Sequence, residues 1–159
     1  MATVTKKNAY SQAQHGGVPY GNASKLKFTF ETKANGSLKD GNSTAALAIA
    51  DKVILGKLPA GFEIHDALAI VSDAFTASVT HAIGFEYVDG ADDAEVPQDA
   101  DYLFAALSNA AGRTRASNTA VRPVKLPKDA WLVAVVAGAA HASGGVLDLV
   151  IEGELRGAP

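Results

Sequence analysis

Four histidines are the first residues to weigh for chemistry: His15, His65, His81 and His141. None lies within four residues of another, and neither HxH nor HExxH occurs. Paired histidines with a nearby Glu, the mark of metal-dependent jelly-roll enzymes of the cupin kind, are therefore missing. A metal enzyme would have to gather its ligands from distant strands. His81 falls between Val79 and Ile83 on the apolar face of its strand, where a core or interface ring with a satisfied hydrogen bond is the expected state. The densest oxygen cluster is Asp89-Gly90-Ala91-Asp92-Asp93-Ala94-Glu95. Such hard ligands suit calcium, but counted from Asp89 the glycine and closing glutamate of an EF-hand loop would fall on Ala94 and Ala100. A solvated loop is expected. No GxSxG elbow, GxxxxGK[ST] loop or GxGxxG fingerprint is present. The acids a glycosidase would need lie mostly on outward strand faces and in one loop. Aromatic residues make up 7% of the chain, and Trp131, the only tryptophan, is expected to pack inside the fold. A carbohydrate platform would then rest on Tyr87 or Tyr102 beside the acidic loop. The expectation is no catalytic residue, no metal and no cofactor.

The elements that must position these residues read as strands. Leu26, Phe28 and Phe30 alternate with Lys25, Lys27, Thr29 and Glu31, the period of two of a half-buried strand over 25–32. Asn35-Gly36 marks a turn. Residues 44–58 read as extended, and Pro59-Ala60-Gly61 ends them. Phe62–Val71 follows, with Phe62, Ile64, Leu68 and Ile70 on one face and Asp66 among them as the sign of a bulge or an edge. Further strands are expected at 79–88, 121–126, 130–137 and 146–155. Leu103, Phe104 and Leu107, preceded by Asp99 and Asp101, predict a short helix from Ala100 to about Ser108. Lys57-Leu58-Pro59-Ala60-Gly61-Phe62 is echoed by Lys125-Leu126-Pro127-Lys128-Asp129-Ala130-Trp131, which suggests corresponding corners in two packed sheets. No helix-length pattern lies between strands, so nothing indicates a βαβ unit. The expected fold is all-β, a two-sheet jelly-roll sandwich over 25–159 with one short helix, a plain Greek-key sandwich being the alternative.

Residues 1–24 read as an extended N-terminal arm. They hold Gly16, Gly17, Pro19 and Gly21 and no apolar period, so they would order only on a partner. Tyr10 and Tyr20 are the natural anchors, and Lys6, Lys7, Lys25 and Lys27 supply positive charge. The chain has 159 residues and a net charge of −3, with no cysteine. Disulfides, thiolate chemistry and cysteine-held metals are excluded. The net charge conceals a block pattern: residues 1–60 carry +5, 61–112 carry −10 and 113–159 carry +2. Opposite fields of this kind can dock copies of the chain or other proteins. They do not favour direct binding of nucleic acid, because the acidic middle would repel phosphate. No apolar run reaches the length of a membrane span, and no apolar segment backs the N-terminal lysines as in a secretory signal.

From about Asp51 onward the order of signals becomes distinctive. Ile54-Leu55-Gly56-Lys57-Leu58-Pro59-Ala60-Gly61 leads to Phe62-Glu63-Ile64 and Ala67-Leu68-Ala69-Ile70-Val71-Ser72-Asp73-Ala74. Ile83-Gly84-Phe85-Glu86, Asp99-Ala100-Asp101-Tyr102-Leu103-Phe104-Ala105-Ala106, Ala130-Trp131-Leu132-Val133-Ala134 and Gly144-Gly145-Val146-Leu147-Asp148-Leu149-Val150-Ile151-Glu152 follow. This stretch, residues 51–155, resembles the jelly-roll cement, or head decoration, proteins of tailed double-stranded DNA bacteriophages. The resemblance implies a structural virion protein on the capsid exterior. It implies binding to the major capsid protein, often as a dimer, with no cofactor and no catalysis. The arm, with Lys6, Lys7, Tyr10, Tyr20, Lys25 and Lys27, would then be the partner interface. The reading from another class is a carbohydrate- or receptor-binding jelly roll on a virion or cell surface.

Overall fold

The structure, a computed structural model, describes residues 2–5, 23–117 and 123–156. Ten strands run in chain order through these residues: β1 (Thr3–Thr5), β2 (Ala23–Thr32), β3 (Lys52–Leu58), β4 (Phe62–Asp73), β5 (Thr80–Tyr87), β6 (Asp99–Ser108), β7 (Gly112–Arg115), β8 (Val124–Lys125), β9 (Ala130–Ala137) and β10 (Gly145–Leu155). One sheet has the order β1-β3-β9-β5-β6. The other has the order β2-β10-β4-β7, with β8 paired to β4. Leaving out β1 and β8, the remaining eight strands form two four-stranded sheets whose order requires repeated crossing from one to the other. That is jelly-roll connectivity.

Alternation explains which residues meet in the middle. Phe28 and Phe30 of β2, Leu147, Leu149 and Ile151 of β10, and Ile64 of β4 are buried from one side. Val53, Ile83, Phe85, Leu132 and Ala134 are buried from the other. Each row faces inward at every second residue, so the two sheets share one apolar layer. Asp66 marks a bulge: the pairing of β4 with β10 runs Glu152 to Asp66 and then Gly153 to Ile64, passing over His65. The extra residue turns the strand over. Ala67, Ala69 and Val71 therefore point inward beyond it, while Leu68 and Ile70 face outward, opposite to the simple alternation read from sequence.

No helix occurs among the described residues, and the expected helix at Ala100–Ser108 is strand β6. Its pairing with β5 shifts register twice, so Tyr102, Leu103 and Phe104 are buried in succession. A bulged edge strand thus imitates helical spacing. Gly84 on β5 accepts this strand closely; a Cβ there would lie 2.0 Å from the Asp99 carbonyl oxygen. Residues 44–51, expected as extended, hold turns and one isolated bridge before β3 begins at Lys52.

The two proline corners meet. Gly61 N donates to the Leu126 carbonyl at 2.8 Å, and Leu126 N donates to the Phe62 carbonyl at 2.9 Å. Asp129 joins them by accepting from Ala60 N at 2.9 Å and pairing with Lys57. The sequence echo is the trace of adjacent corners at one end of the sandwich. The first residues are also part of the fold: Thr3–Thr5 lie parallel to β3, with Val4 opposite Val53.

Candidate functional site

Lys6, Lys7, Tyr10 and Tyr20 lie outside the described residues. Lys25 and Lys27 stand on the outward face of β2, an edge strand, with 71% and 61% of their side chains exposed. Antiparallel pairing sets β10 beside them. Lys25 Nζ is 2.8 Å from Glu152 Oε1, and Lys27 Nζ is 3.1 Å from Asp148 Oδ2. Lys25 holds the Glu152 carboxyl below its ordinary value, with Arg115 adding to the effect. Thr29 Oγ1 donates to Asp148 Oδ1 at 2.6 Å, and Lys39 closes on Glu31 at 2.7 Å. Farther across the sheet Arg115 of β7 pairs with Asp66 of β4. The outer face of this sheet is a mosaic of exposed ion pairs. Such pairs add little stability and hold their side chains in place only weakly, so the charges remain available to a partner.

The acidic loop between β5 and β6 spends its carboxylates on its own backbone. Asp92 Oδ1 accepts from Gln98 N and Asp93 N. Asp93 Oδ1 accepts from Glu95 N and Val96 N. Lys128 binds Asp89 and the Ala91 carbonyl, and lowers the Asp89 carboxyl from its usual value. Asp101 is raised, chiefly by its hydrogen bond to Asp99. Among the described residues no group of three or more metal-ligating side chains converges. Tyr87, offered from sequence as an exposed glycan contact, is 2% exposed. Its hydroxyl donates to the Val96 carbonyl at 2.5 Å and Lys128 sits over its ring. Burial, with Asp93, Asp92 and Asp89 nearby, pushes its hydroxyl up to about 12. Tyr102 is likewise buried, at 6%. The carbohydrate reading therefore loses both of its tyrosines. Trp131, expected inside the sandwich, is half-buried and out of phase with the inward Ala130 and Leu132 of β9.

One polar cluster was not visible as a motif. His81 of β5 and His141, in the loop after β9, meet with their Nε2 atoms 3.0 Å apart, both rings fully or almost fully buried. The Asn35-Gly36 turn helps to place His141. Gly36 has φ of 77°, and a Cβ there would fall 2.2 Å from the His141 carbonyl oxygen. His141 N donates to the Leu47 carbonyl at 2.8 Å. Phe30 and Phe75 meet both rings edge to face, at centroid distances of 5.0 to 5.7 Å. Both Nδ1 atoms are buried without a partner. Burial pulls His81 down to about 3, with the neighbouring His141 contributing, and pulls His141 down to about 4. Two neutral rings, one donating and one accepting, form a core hydrogen bond. Among the described residues no third metal-ligating side chain joins them. The only sequence signal was the apolar setting of His81.

No family model matches the chain, and no curated protein does. Solved structures do share its fold. A chain from the capsid of Ralstonia phage GP4 is 21% identical with a TM-score of 0.66, the likeness covering 99% of this chain and 100% of that one. A chain from the cyanophage Pam1 capsid asymmetric unit is 15% identical with a TM-score of 0.55, covering 91% of this chain and 94% of that one. The all-β two-sheet jelly roll is thereby shared end to end.

Proposed function

We propose that this chain is a structural virion protein that binds the outer surface of a tailed-phage capsid and stabilises the shell, without catalysis. The observation that carries this reading is the likeness to a chain found in a phage capsid, which covers 99% of this chain and 100% of that one. The rest of the molecule is consistent with it. Among the described residues many charged side chains are engaged in ion pairs with one another, and no group of three or more metal-ligating side chains converges. The partner is the major capsid protein, and the chain acts as a dimer across shell subunits. The segment holding Lys6, Lys7, Tyr10 and Tyr20 makes the shell contact, joined by Lys25 and Lys27 at the start of β2. A weak contact repeated at every symmetry-related site suffices for firm decoration.

The test is co-sedimentation of the purified chain with capsids that lack it. Saturation at a fixed ratio per shell subunit is expected. Replacement of residues 6–22 by a short Gly/Ser linker, which keeps β1, should abolish binding while the sandwich still melts cooperatively. A chain that stays in the supernatant at all capsid concentrations defeats the reading. A linker variant that still decorates normally defeats the role of the segment.

A further inference from the structure

The eight strands of the jelly roll are complete without β1, yet residues 2–5 are held by a built receptor. Their backbone adds in parallel to β3, with Thr3, Val4 and Thr5 opposite Lys52, Val53 and Ile54. Val4 enters the core and is 5% exposed. Asp51, itself 8% exposed, accepts from Ala2 N at 3.0 Å through Oδ1 and from Ala48 N at 2.9 Å through Oδ2. Asn42 grips the other end. Its Oδ1 accepts from Thr5 N at 3.1 Å, and its own N donates to the Thr5 carbonyl at 3.0 Å. Main-chain pairing, one apolar socket and polar clamps at both ends are the elements of strand-addition recognition.

We propose that this β3 edge is a clamp for β1 of a second copy of the chain, so that copies link by exchanging residues 2–5. The occupant follows from the fit: Ala2 to Thr5 is the peptide that satisfies Asp51, the Val4 socket and Asn42 together. A strand from another copy makes the same contacts, so exchange loses none of them. The covalent tether, residues 6–22, allows it, since a chain of that length spans roughly 55 Å when extended. Within one copy the tether merely raises the local concentration of β1. At high chain concentration, or during refolding of a concentrated mixture, a neighbouring copy competes to supply the strand. The inference does not rest on the capsid reading, and its test uses the chain alone.

The chain has no cysteine, so introduced thiols are unique. Thr5→Cys and Ile54→Cys are made in separate chains, because these residues are register partners. The two are unfolded together, refolded as a mixture and treated with a short bismaleimide. A covalent mixed dimer is expected. It should fall by about tenfold or more when the Thr5→Cys chain also carries Val4→Asp, which puts a charge into the apolar socket. The double variant Thr5→Cys/Ile54→Cys, refolded alone and dilute, should instead link within one chain. Mixed dimer no more abundant than in the Val4→Asp control overturns the proposal. So does a double variant that fails to link within the chain, because β1 would then not occupy the clamp.

Discussion

Lowering the pH from 8 to 5 should remove a large part of the stability of the fold through His81 and His141. The rings share one hydrogen bond, 3.0 Å between Nε2 atoms, inside a box walled by Phe30 and Phe75. A further proton would set two N–H groups against each other and bury a charge without a counterion. The folded state therefore resists protonation until about 4 for His141 and about 3 for His81. The unfolded chain takes up protons near the ordinary histidine value of about 6.5. Both folded values are depressed, so the contribution is complete above about pH 7 and is lost as the pH falls through 6.5 toward 4. At pH 5 each histidine favours the unfolded state by about 2 kcal/mol, and the pair by about 4 kcal/mol, relative to pH 8. Total stabilities are commonly about 5–15 kcal/mol, so the effect is readable in urea or guanidinium melts. The comparison is His81→Leu/His141→Leu, which fills a similar volume and carries no titrating group. If wild type and double variant lose the same stability between pH 8 and 5, the reasoning fails. Should the variant not fold, ring-proton titration by NMR on the wild type decides it. Rings that titrate near 6.5 in the folded state refute it.

Gly84→Ala would place a methyl 2.0 Å from the Asp99 carbonyl oxygen and force β6 away from β5; a loss of about 3 kcal/mol in chemical melts is expected. Asp51→Ala removes the carboxylate that accepts from Ala2 N and Ala48 N. It should cost about 1–3 kcal/mol and make the N-terminus more susceptible to limited proteolysis, an effect checked by mass spectrometry. Lys25→Ala/Lys27→Ala breaks two exposed pairs and should leave the melting temperature nearly unchanged. The same variant should weaken capsid co-sedimentation and reduce its salt dependence.

Much of the fold was legible because alternation survives wherever a strand lies flat between core and solvent. β9 occupies Ala130–Ala137 as read, and β10 differs by one residue. Legibility failed where the backbone departs from regular pairing. In β4 the bulge at His65 inverts the faces, so Leu68 and Ile70 no longer follow Ile64. In β6 two register shifts gather Tyr102, Leu103 and Phe104 into one buried run, and the strand reads as a helix. Ala-rich sequence offered no contrary propensity there, and packing against Gly84 decided the outcome. The histidine pair was illegible for another reason. Its members are sixty residues apart and come from different elements, a strand and a loop. Only topology brings them together.

The charge blocks of the sequence acquire a different meaning in the sheet. Lys25 and Lys27, from the basic first third, pair with Glu152 and Asp148 on β10, while Lys52 pairs with Glu86 and Lys57 with Asp129. Jelly-roll order sets strands from distant parts of the chain side by side, so three of these four pairs join the basic first block to acids of the last block, and Lys52–Glu86 joins it to the acidic middle, whose other partners Arg115, Lys128 and Arg156 come from the last block. The surplus negative charge sits at the β5–β6 loop. There Asp92, Asp93 and Glu95 have no ion-pair partner among the described residues. Among the described residues the acidic middle is thus offset locally more by the last block than by the first. A partner attracted by charge would meet two local surfaces: the acidic loop at one end and the exchangeable lysine–carboxylate pairs on β2 and β10. Binding by the second surface requires that a partner carboxylate displace Glu152 or Asp148. The gain from each lysine is then a difference between two similar pairs, so electrostatics sets register while affinity must come from apolar anchors and from repetition over many sites.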